Sequence, residues 1–401
     1  MHTSRIARRA RWAGAAVIAA TVLAGCGSNA DGDGASAAAS GDIAYGTLLS
    51  SQPSTGDAVL PSAAGNTRVT YMSEGPQGDP AVVSGSVSVP GGPAPDGGWP
   101  VISWAHGTTG VADACAPSSG SVPGSDGEYL RYVDDTLDRY VQAGYAVVQT
   151  DYVGLGTPGV HPYINGDSEA NAVTDIVTAA RELDSSIGTT WYVAGHSQGG
   201  HAAVFTAAEA PSRAPDLNLE GAVAIAPGNR LGDTLQYFAA GGPDVRAALG
   251  YLPLILLGAQ AADPGLKAYD YVSDPVDPLL DAATNGCTDA TFAAAQHVPV
   301  DKIIPDDADL TPMADYLAKQ NLGGLTLQVP TLILQGTADS SVTEPSTTAL
   351  VDTLCTAGNP VSYKTYDGLE HTPTVPASFD DALAFIRTLG DGGAPGGVCG
   401  A

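Results

Sequence analysis

The chain has 401 residues, 44% of them apolar, and a formal charge of −27 at neutral pH. That length holds one large α/β domain with an insertion, or two domains, and the apolar share supports a buried core. The negative charge argues against nucleic acid as a partner and against long-range attraction to anionic surfaces.

The N-terminus reads as a targeting segment. Arg5, Arg8, Arg9 and Arg11 precede the apolar run AGAAVIAATVLA (13–24), which is short for a bilayer span. It ends in Leu23-Ala24-Gly25-Cys26, which resembles a bacterial lipobox. Residues 1–25 are therefore expected to be a lipoprotein signal peptide, and Cys26 the acylated first residue of a mature chain anchored to the membrane outside the cytoplasm. The alternative is an ordinary secretory signal and a freely secreted protein. Residues 26–42 are small and polar, as a flexible tether would be. Loss of the four arginines takes the charge from −27 to −31. Cys115, Cys287, Cys355 and Cys399 then face an oxidising compartment, where four cysteines allow three pairings and the sequence leaves the choice open.

Further along, short apolar runs alternate with helical patterns. WPVISWAHG (99–107) predicts a buried strand entering a glycine turn. Over 127–144, Leu130, Val133, Leu137, Tyr140 and Val141 share one helical face, and the pattern stops at Gly144. YAVVQTDY (145–152) predicts a strand, and 168–184 a helix with Ser168 as N-cap. WYVAG (191–195) predicts a strand, followed by a helix from Ser197 and a strand at GAVAIAP (221–227). TLILQG (331–336) and VSYKTYDG (361–368) predict strands separated by a helix over 345–357. This alternation predicts an α/β fold with a mostly parallel sheet covered on both faces. Between 227 and 320 the alternation fails. That stretch, with its apolar run LGYLPLILLGA (249–259), predicts a helical insertion into a core formed by 43–226 and 321–401. The run either roofs a site as part of a cap or fills the insertion's own interior.

Ligands of a parallel α/β sheet bind beyond the carboxyl ends of its strands. Three apt residues fall there: Ser197 after WYVAG, within G-H-S-Q-G; Asp339 after TLILQGTA; and His371 after VSYKTYDGLE. The order serine, acid, histidine is that of the α/β-hydrolases. Ser197 is the expected nucleophile, His371 its base, and Asp339 the group that orients the imidazole. Gly195 and Gly199 leave room for the sharp turn that exposes the serine. The expected oxyanion donors are the backbone N–H of Gln198 and that of Thr108, with Thr109 next to it, whose hydroxyl could add a donor. His106 is expected to be structural. Asp367 and Glu370 lie on the loop of His371 itself and are badly placed to reach its Nδ1, while His161, His201 and His297 have no ordered partner in the sequence. No zinc spacing and no phosphate loop occurs, so the chemistry is expected to need neither metal nor cofactor.

The span from residue 43 to the C-terminus resembles the secreted lipase family of α/β-hydrolases found in yeasts and bacteria. SWAHGTTG, CAPS at Cys115, DYVGLGTPGVHPY at Asp151, GHSQGG, LQGTADSSV and the GLEHT loop carry the resemblance. It implies a helical cap between the strand after the nucleophile and the acid, and action on triacylglycerols or simpler carboxylic esters. It also implies two disulfides, Cys115–Cys287 from the CAPS segment to the cap and Cys355–Cys399 around the histidine loop. Tyr152, Gly154, Gly156 and His161 are expected to shape the loop beside the site. The lipobox departs from the soluble secreted members. The expectation is a serine esterase or lipase with an ester or lipid substrate. The rivals are a peptidase or amidase on the same triad, and a catalytically silent hydrolase-fold binding protein. Oligomeric state is not legible.

Overall fold

The computed structural model describes residues 43–396 and Cys399; the expected signal peptide, Cys26 and tether lie outside the described residues. Parallel strands buried on both faces need apolar side chains on both, which is why β4 (Trp99–Ala105), β5 (Ala146–Thr150), β6 (Ile187–His196), β7 (Asn218–Ile225) and β8 (Thr331–Gly336) are near-continuous apolar runs. With β1 (Leu48–Pro53), β2 (Ala63–Glu74), β3 (Pro80–Pro90) and β9 (Val361–Tyr366) they form a nine-stranded sheet ordered β1-β2-β3-β5-β4-β6-β7-β8-β9. Pairing is parallel from β5 to β9 and antiparallel from β1 through β3 to β5.

No element is expected from the sequence over 43–98, where the structure has the three antiparallel strands. Serine, threonine and glycine interrupt their apolar positions, so no hydrophobic run stands out. On one face of the sheet, Ile102, Trp104, Val147, Tyr192 and Leu334 pack against α1 (Gly124–Gln142) and the C-terminal helix Thr374–Gly390. On the other, Val101, Val148, Val193 and Ile333 pack against α2 (Gly166–Leu183), α3 (Gln198–Arg213) and helix Glu344–Thr356. Successive strand residues thus serve opposite layers, as the pleat requires. Ser168 is not the N-cap of α2. Asn165 is, its side-chain oxygen accepting the Ser168 N–H at 3.0 Å, which leaves Ser168 in the first turn.

Between β7 and β8 the chain forms α4 (Thr234–Ala240), α5 (Leu252–Ala262), α6 (Asp277–Asn285), α7 (Thr288–Ala295) and α8 (Thr311–Lys319), the helical cap. In chain order, Glu344–Thr356 is then α9 and Thr374–Gly390 is α10. The cap has its own core, in which Leu249, Leu254 and Leu256 meet Leu235, Phe238, Leu280, Met313 and Leu317. The apolar run of 249–259 therefore fills the cap interior; every residue from Leu252 to Ala259 is buried.

The two disulfides are Cys115–Cys287 and Cys355–Cys399, the pairing that the family resemblance implies. The first fastens the cap to the loop after β4. It is reinforced by an isolated bridge between Gly110 and Cys287 and by the Thr288 N–H, which donates to the Thr109 carbonyl at 3.0 Å.

One carboxylate in α1 works against the fold. Asp134 faces a small cavity lined by Asp57, Leu130, Leu137 and Gln149, and burial, followed by the charges of Asp57 and Asp135, raises its pKa from 3.8 to about 8. A carboxyl whose folded value lies above its unfolded one favours folding fully below the unfolded pKa. That advantage is lost as pH rises through the folded value. The window is therefore pH 4 to 8, with the cost present at the alkaline end. Asp134→Asn should raise unfolding free energy at pH 8 by about 1–3 kcal/mol, discounted because part of the side chain reaches solvent, and should change little at pH 4. Urea unfolding of both proteins at the two pH values checks this; equal gains at both would contradict it.

Candidate active site

The nucleophile candidate sits at the turn from β6 into α3. Ser197 has φ 60° and ψ −115°, in the left-handed region that non-glycine residues rarely adopt. Such a backbone costs about 1–3 kcal/mol and persists only where its surroundings impose it. Here the Ser197 N–H donates to the Ile225 carbonyl at 2.9 Å, and the Ser197 carbonyl accepts from Gly228 N–H at 3.0 Å. The flanking glycines answer to space. A methyl group on Gly199 would lie 1.8 Å from the Ala105 carbonyl oxygen, and one on Gly195 2.1 Å from that of Gly199. The turn is closed on both sides by backbone, which is the physical content of G-x-S-x-G.

Asp339 follows β8 and is buried, with every accepting position in use. Its Oδ1 accepts the N–H groups of Ser341 and Val342 at 2.8 and 2.9 Å. Its Oδ2 accepts from the Gln335 amide at 3.0 Å and lies 2.7 Å from Nδ1 of His371. Burial pushes this carboxyl up. The His371 bond and charge, then the Val342 N–H and Gln335, outweigh burial and hold it below its ordinary value. Asp339 is therefore ionised at neutral pH, and His371, on the loop between β9 and α10, carries its proton on Nδ1. Its Nε2 is left as the lone-pair nitrogen, the tautomer a base needs. The structure brings His371 and Asp339 together and sets Ser197 beside His196, whose ring centroid is 4.3 Å from that of His371. No hydrogen bond joins Ser197 to His371 here, a contact that often tightens only with substrate bound.

The turn after β4 supplies the other candidates. The Gly107 N–H donates to the Tyr129 hydroxyl at 3.1 Å. Among the described residues, the N–H groups of Thr108, Thr109 and Gln198 have no hydrogen-bond acceptor, so all three are available donors. The Thr108 hydroxyl lies 2.8 Å from that of Tyr163. Thr109 is fully buried and its hydroxyl has no partner among the described residues. His106 is buried at 4.5 Å, centroid to centroid, from Tyr152, whose hydroxyl donates to the His106 carbonyl at 2.9 Å. Tyr152, Gly154 and Gly156 all have positive φ, so this loop doubles back on itself beside the site.

Beneath the turn lies a buried polar cluster that sequence reasoning missed. Glu169, fully buried in α2, accepts the Ile164 N–H at 3.1 Å and the Gln198 amide at 2.7 Å, and lies 3.2 Å from Nδ1 of His201. The same Gln198 amide lies 2.9 Å from Nε2 of His161, whose Nδ1–H donates to the Val153 carbonyl at 2.9 Å. Burial lowers the pKa of His161 to about 3, so it stays neutral and accepts from Gln198. One signal was present in the sequence: Glu169 falls on the helical stripe of Ala172, Val173 and Ile176, a charge on a buried face.

Glu169 also ties down Ile164, which has φ 59°. Glu169→Ala should take a partner from three polar groups, the Ile164 N–H, the Gln198 amide and His201 Nδ1, and cost about 3–5 kcal/mol of unfolding free energy in a denaturant titration. A loss below 1 kcal/mol would show the cluster to be dispensable.

His297 is exposed on the cap, and Asp367 and Glu370 make no bond to the His371 ring. No group of three metal-ligating side chains occurs among the described residues.

The crossover sheet, the strained turn after β6, the acid and histidine beyond β8 and β9, and the inserted cap define an α/β-hydrolase. Residues 132–394 match the family model described as secretory lipase, and the chain belongs to that family. It is 24% identical to Lipase A of Moesziomyces aphidis over 90% of this chain and 79% of that one. It is 28% identical to a secreted triacylglycerol lipase of Malassezia furfur over 69% of this chain and 54% of that one. A protein of Mycobacterium tuberculosis named a probable inactive lipase is 24% identical over 82% of this chain and 74% of its own length. Among solved structures, Candida antarctica lipase A superposes with a TM-score of 0.74 at 21% identity, covering 90% of this chain and 85% of that one. The rice cell wall degrading esterase LipA from Xanthomonas oryzae does so with 0.67 at 23%, covering 87% and 100%. The family and the two disulfides fit an extracellular location. No described helix is long and apolar enough to cross a membrane.

Proposed function

We propose that this protein is a serine carboxylic-ester hydrolase, a lipase or esterase that acts through an acyl-enzyme on acylglycerols or simpler esters. The observation that carries the reading is the bond from His371 to the buried, ionised Asp339 at the strand ends that also present the strained Ser197. In this mechanism Ser197 Oγ attacks the ester carbonyl as His371 Nε2 takes its proton. The N–H groups of Gln198 and Thr108, with Thr109 beside them, receive the oxyanion. His371 then returns the proton to the departing alcohol, and water repeats the sequence on the acyl-enzyme. Asp339 keeps the imidazole in the right tautomer and offsets its charge in the transition state. No metal or cofactor enters these steps. The acyl anchor at Cys26 belongs to the same proposal and would hold the enzyme at the outer face of a membrane.

The name of the Mycobacterium tuberculosis relative favours a second reading, a hydrolase fold kept for binding. The strained turn argues against it, since a backbone of that cost has no use without an exposed serine.

The test is hydrolysis of p-nitrophenyl esters from acetyl to palmitoyl, alongside the matching p-nitroanilides. Ester cleavage far exceeding anilide cleavage is expected. Rates rising with acyl length would make it a lipase, and a maximum at acetyl or butyryl an esterase. Comparable anilide cleavage would move it to the amidases, and no cleavage of either would leave the binding reading.

A further inference from the structure

Two polar side chains at the site have no role in the mechanism above. Tyr129 projects from α1 and His196 precedes the nucleophile on β6. The Tyr129 hydroxyl accepts the Gly107 N–H at 3.1 Å and lies 2.8 Å from Nδ1 of His196. The hydroxyl accepts from the amide, and among the described residues Nδ1 is the acceptor within hydrogen-bond reach of its one proton, which therefore goes there. His196 must then carry its own proton on Nε2. That nitrogen is buried and has no hydrogen-bond partner among the described residues. The two imidazole rings pack at 4.3 Å with 47° between their planes. The contact at Gly107 is close as well: a methyl group there would lie 2.4 Å from the Tyr129 oxygen.

We propose that Tyr129 and His196 are positioning residues, one hydrogen-bonded chain that sets the oxyanion loop and the ring of His371 relative to each other. This rests on the assignment of His371 as base and of the loop after β4 as oxyanion donor. Gly107 immediately precedes Thr108, so the Tyr129 hydroxyl holds the His106–Gly107 peptide, the unit just before the one that carries the donor N–H. The same hydroxyl orients His196, and the His196 ring forms the wall on which His371 leans. The wall has to stay uncharged, because a second imidazolium would oppose the charge His371 gains in the transition state. Burial, then the nearness of His371, hold the pKa of His196 well below its ordinary value. Burial also raises that of Tyr129, so the hydroxyl keeps the proton it donates.

The test combines imidazole 15N NMR of the folded chain with kinetics of Tyr129→Phe, His196→Leu, His196→Asn and the double variant Tyr129→Phe/His196→Leu. In wild type, His196 should show protonated Nε2 and unprotonated Nδ1, and Tyr129→Phe should give a tautomer mixture. Tyr129→Phe and His196→Leu should each lower kcat about tenfold with KM within about twofold, and the double variant should be no worse than the worse single one. His196→Asn, whose side-chain oxygen occupies the place of Nδ1, should recover kcat to within about threefold of wild type. Protonated Nδ1 in the wild type, multiplying losses in the double variant, or an unchanged kcat in Tyr129→Phe would each overturn the proposal. If the wild type cleaves no ester, the functional reading falls, while the wild-type tautomer still decides the relay without any variant having to fold.

Discussion

Ser197→Ala should lower kcat for ester hydrolysis by about 10⁶-fold, leaving only what the oxyanion donors and substrate binding contribute. The size follows from the arrangement. The turn at φ 60° presents the Ser197 hydroxyl at the carboxyl end of β6. With the hydroxyl gone, His371 could only activate water, which lacks the covalent intermediate that splits the reaction into two easier steps. KM should change little, because the serine side chain adds little to ground-state binding. Steady-state kinetics on a p-nitrophenyl ester, with circular dichroism to confirm the fold, decides it. A residual rate within about tenfold of wild type would mean that the reaction does not pass through Ser197.

Asp339→Asn should cost about 10⁴-fold in kcat with the fold intact. The orientation of the new amide is dictated by its neighbours. Two backbone N–H groups, from Ser341 and Val342, point at Oδ1 and would hold the amide oxygen there. The NH₂ group must then face His371, where it donates to Nδ1. This forces the imidazole proton onto Nε2, and the base presents a proton to Ser197 in place of a lone pair. The Gln335 amide, which also points at Oδ2, would meet a second donor, so about 1–3 kcal/mol of stability should go with the activity. Kinetics and urea unfolding of the one variant read both effects. An enzyme within about tenfold of wild type would show that His371 does not depend on Asp339 for its tautomer.

The parts of the molecule legible in the sequence are those with local, repeating causes. β4 to β8 read as apolar runs because both faces of each are covered, and the helix after β4 reads as a stripe that stops at Gly144. Ser197, Asp339 and His371 stand out as candidates because each follows a strand, in the chain order of one class of fold. What escaped depends on contacts distant in sequence. Glu169 meets Gln198 from 29 residues away and His201 from 32. Tyr129 reads as one more aromatic on the α1 face until Gly107 and His196 are seen around its hydroxyl. The strands of 48–90 escaped for the opposite reason: their buried residues are too few and too interrupted to form a run. Ser168 was mistaken for a cap because Asn165, the true one, lies just ahead of the apolar pattern that marked the helix.

The most direct test of the central claim, that Ser197 is a nucleophile made reactive by His371, is fluorophosphonate labelling read by intact mass and peptide mapping. Phosphonylation expels fluoride and requires an activated hydroxyl, so it reports on the site without knowledge of the substrate. The account predicts one adduct per chain, on the peptide that carries Ser197, and none in Ser197→Ala. A natively folded wild type that takes no label, or an adduct that survives in Ser197→Ala, would contradict it.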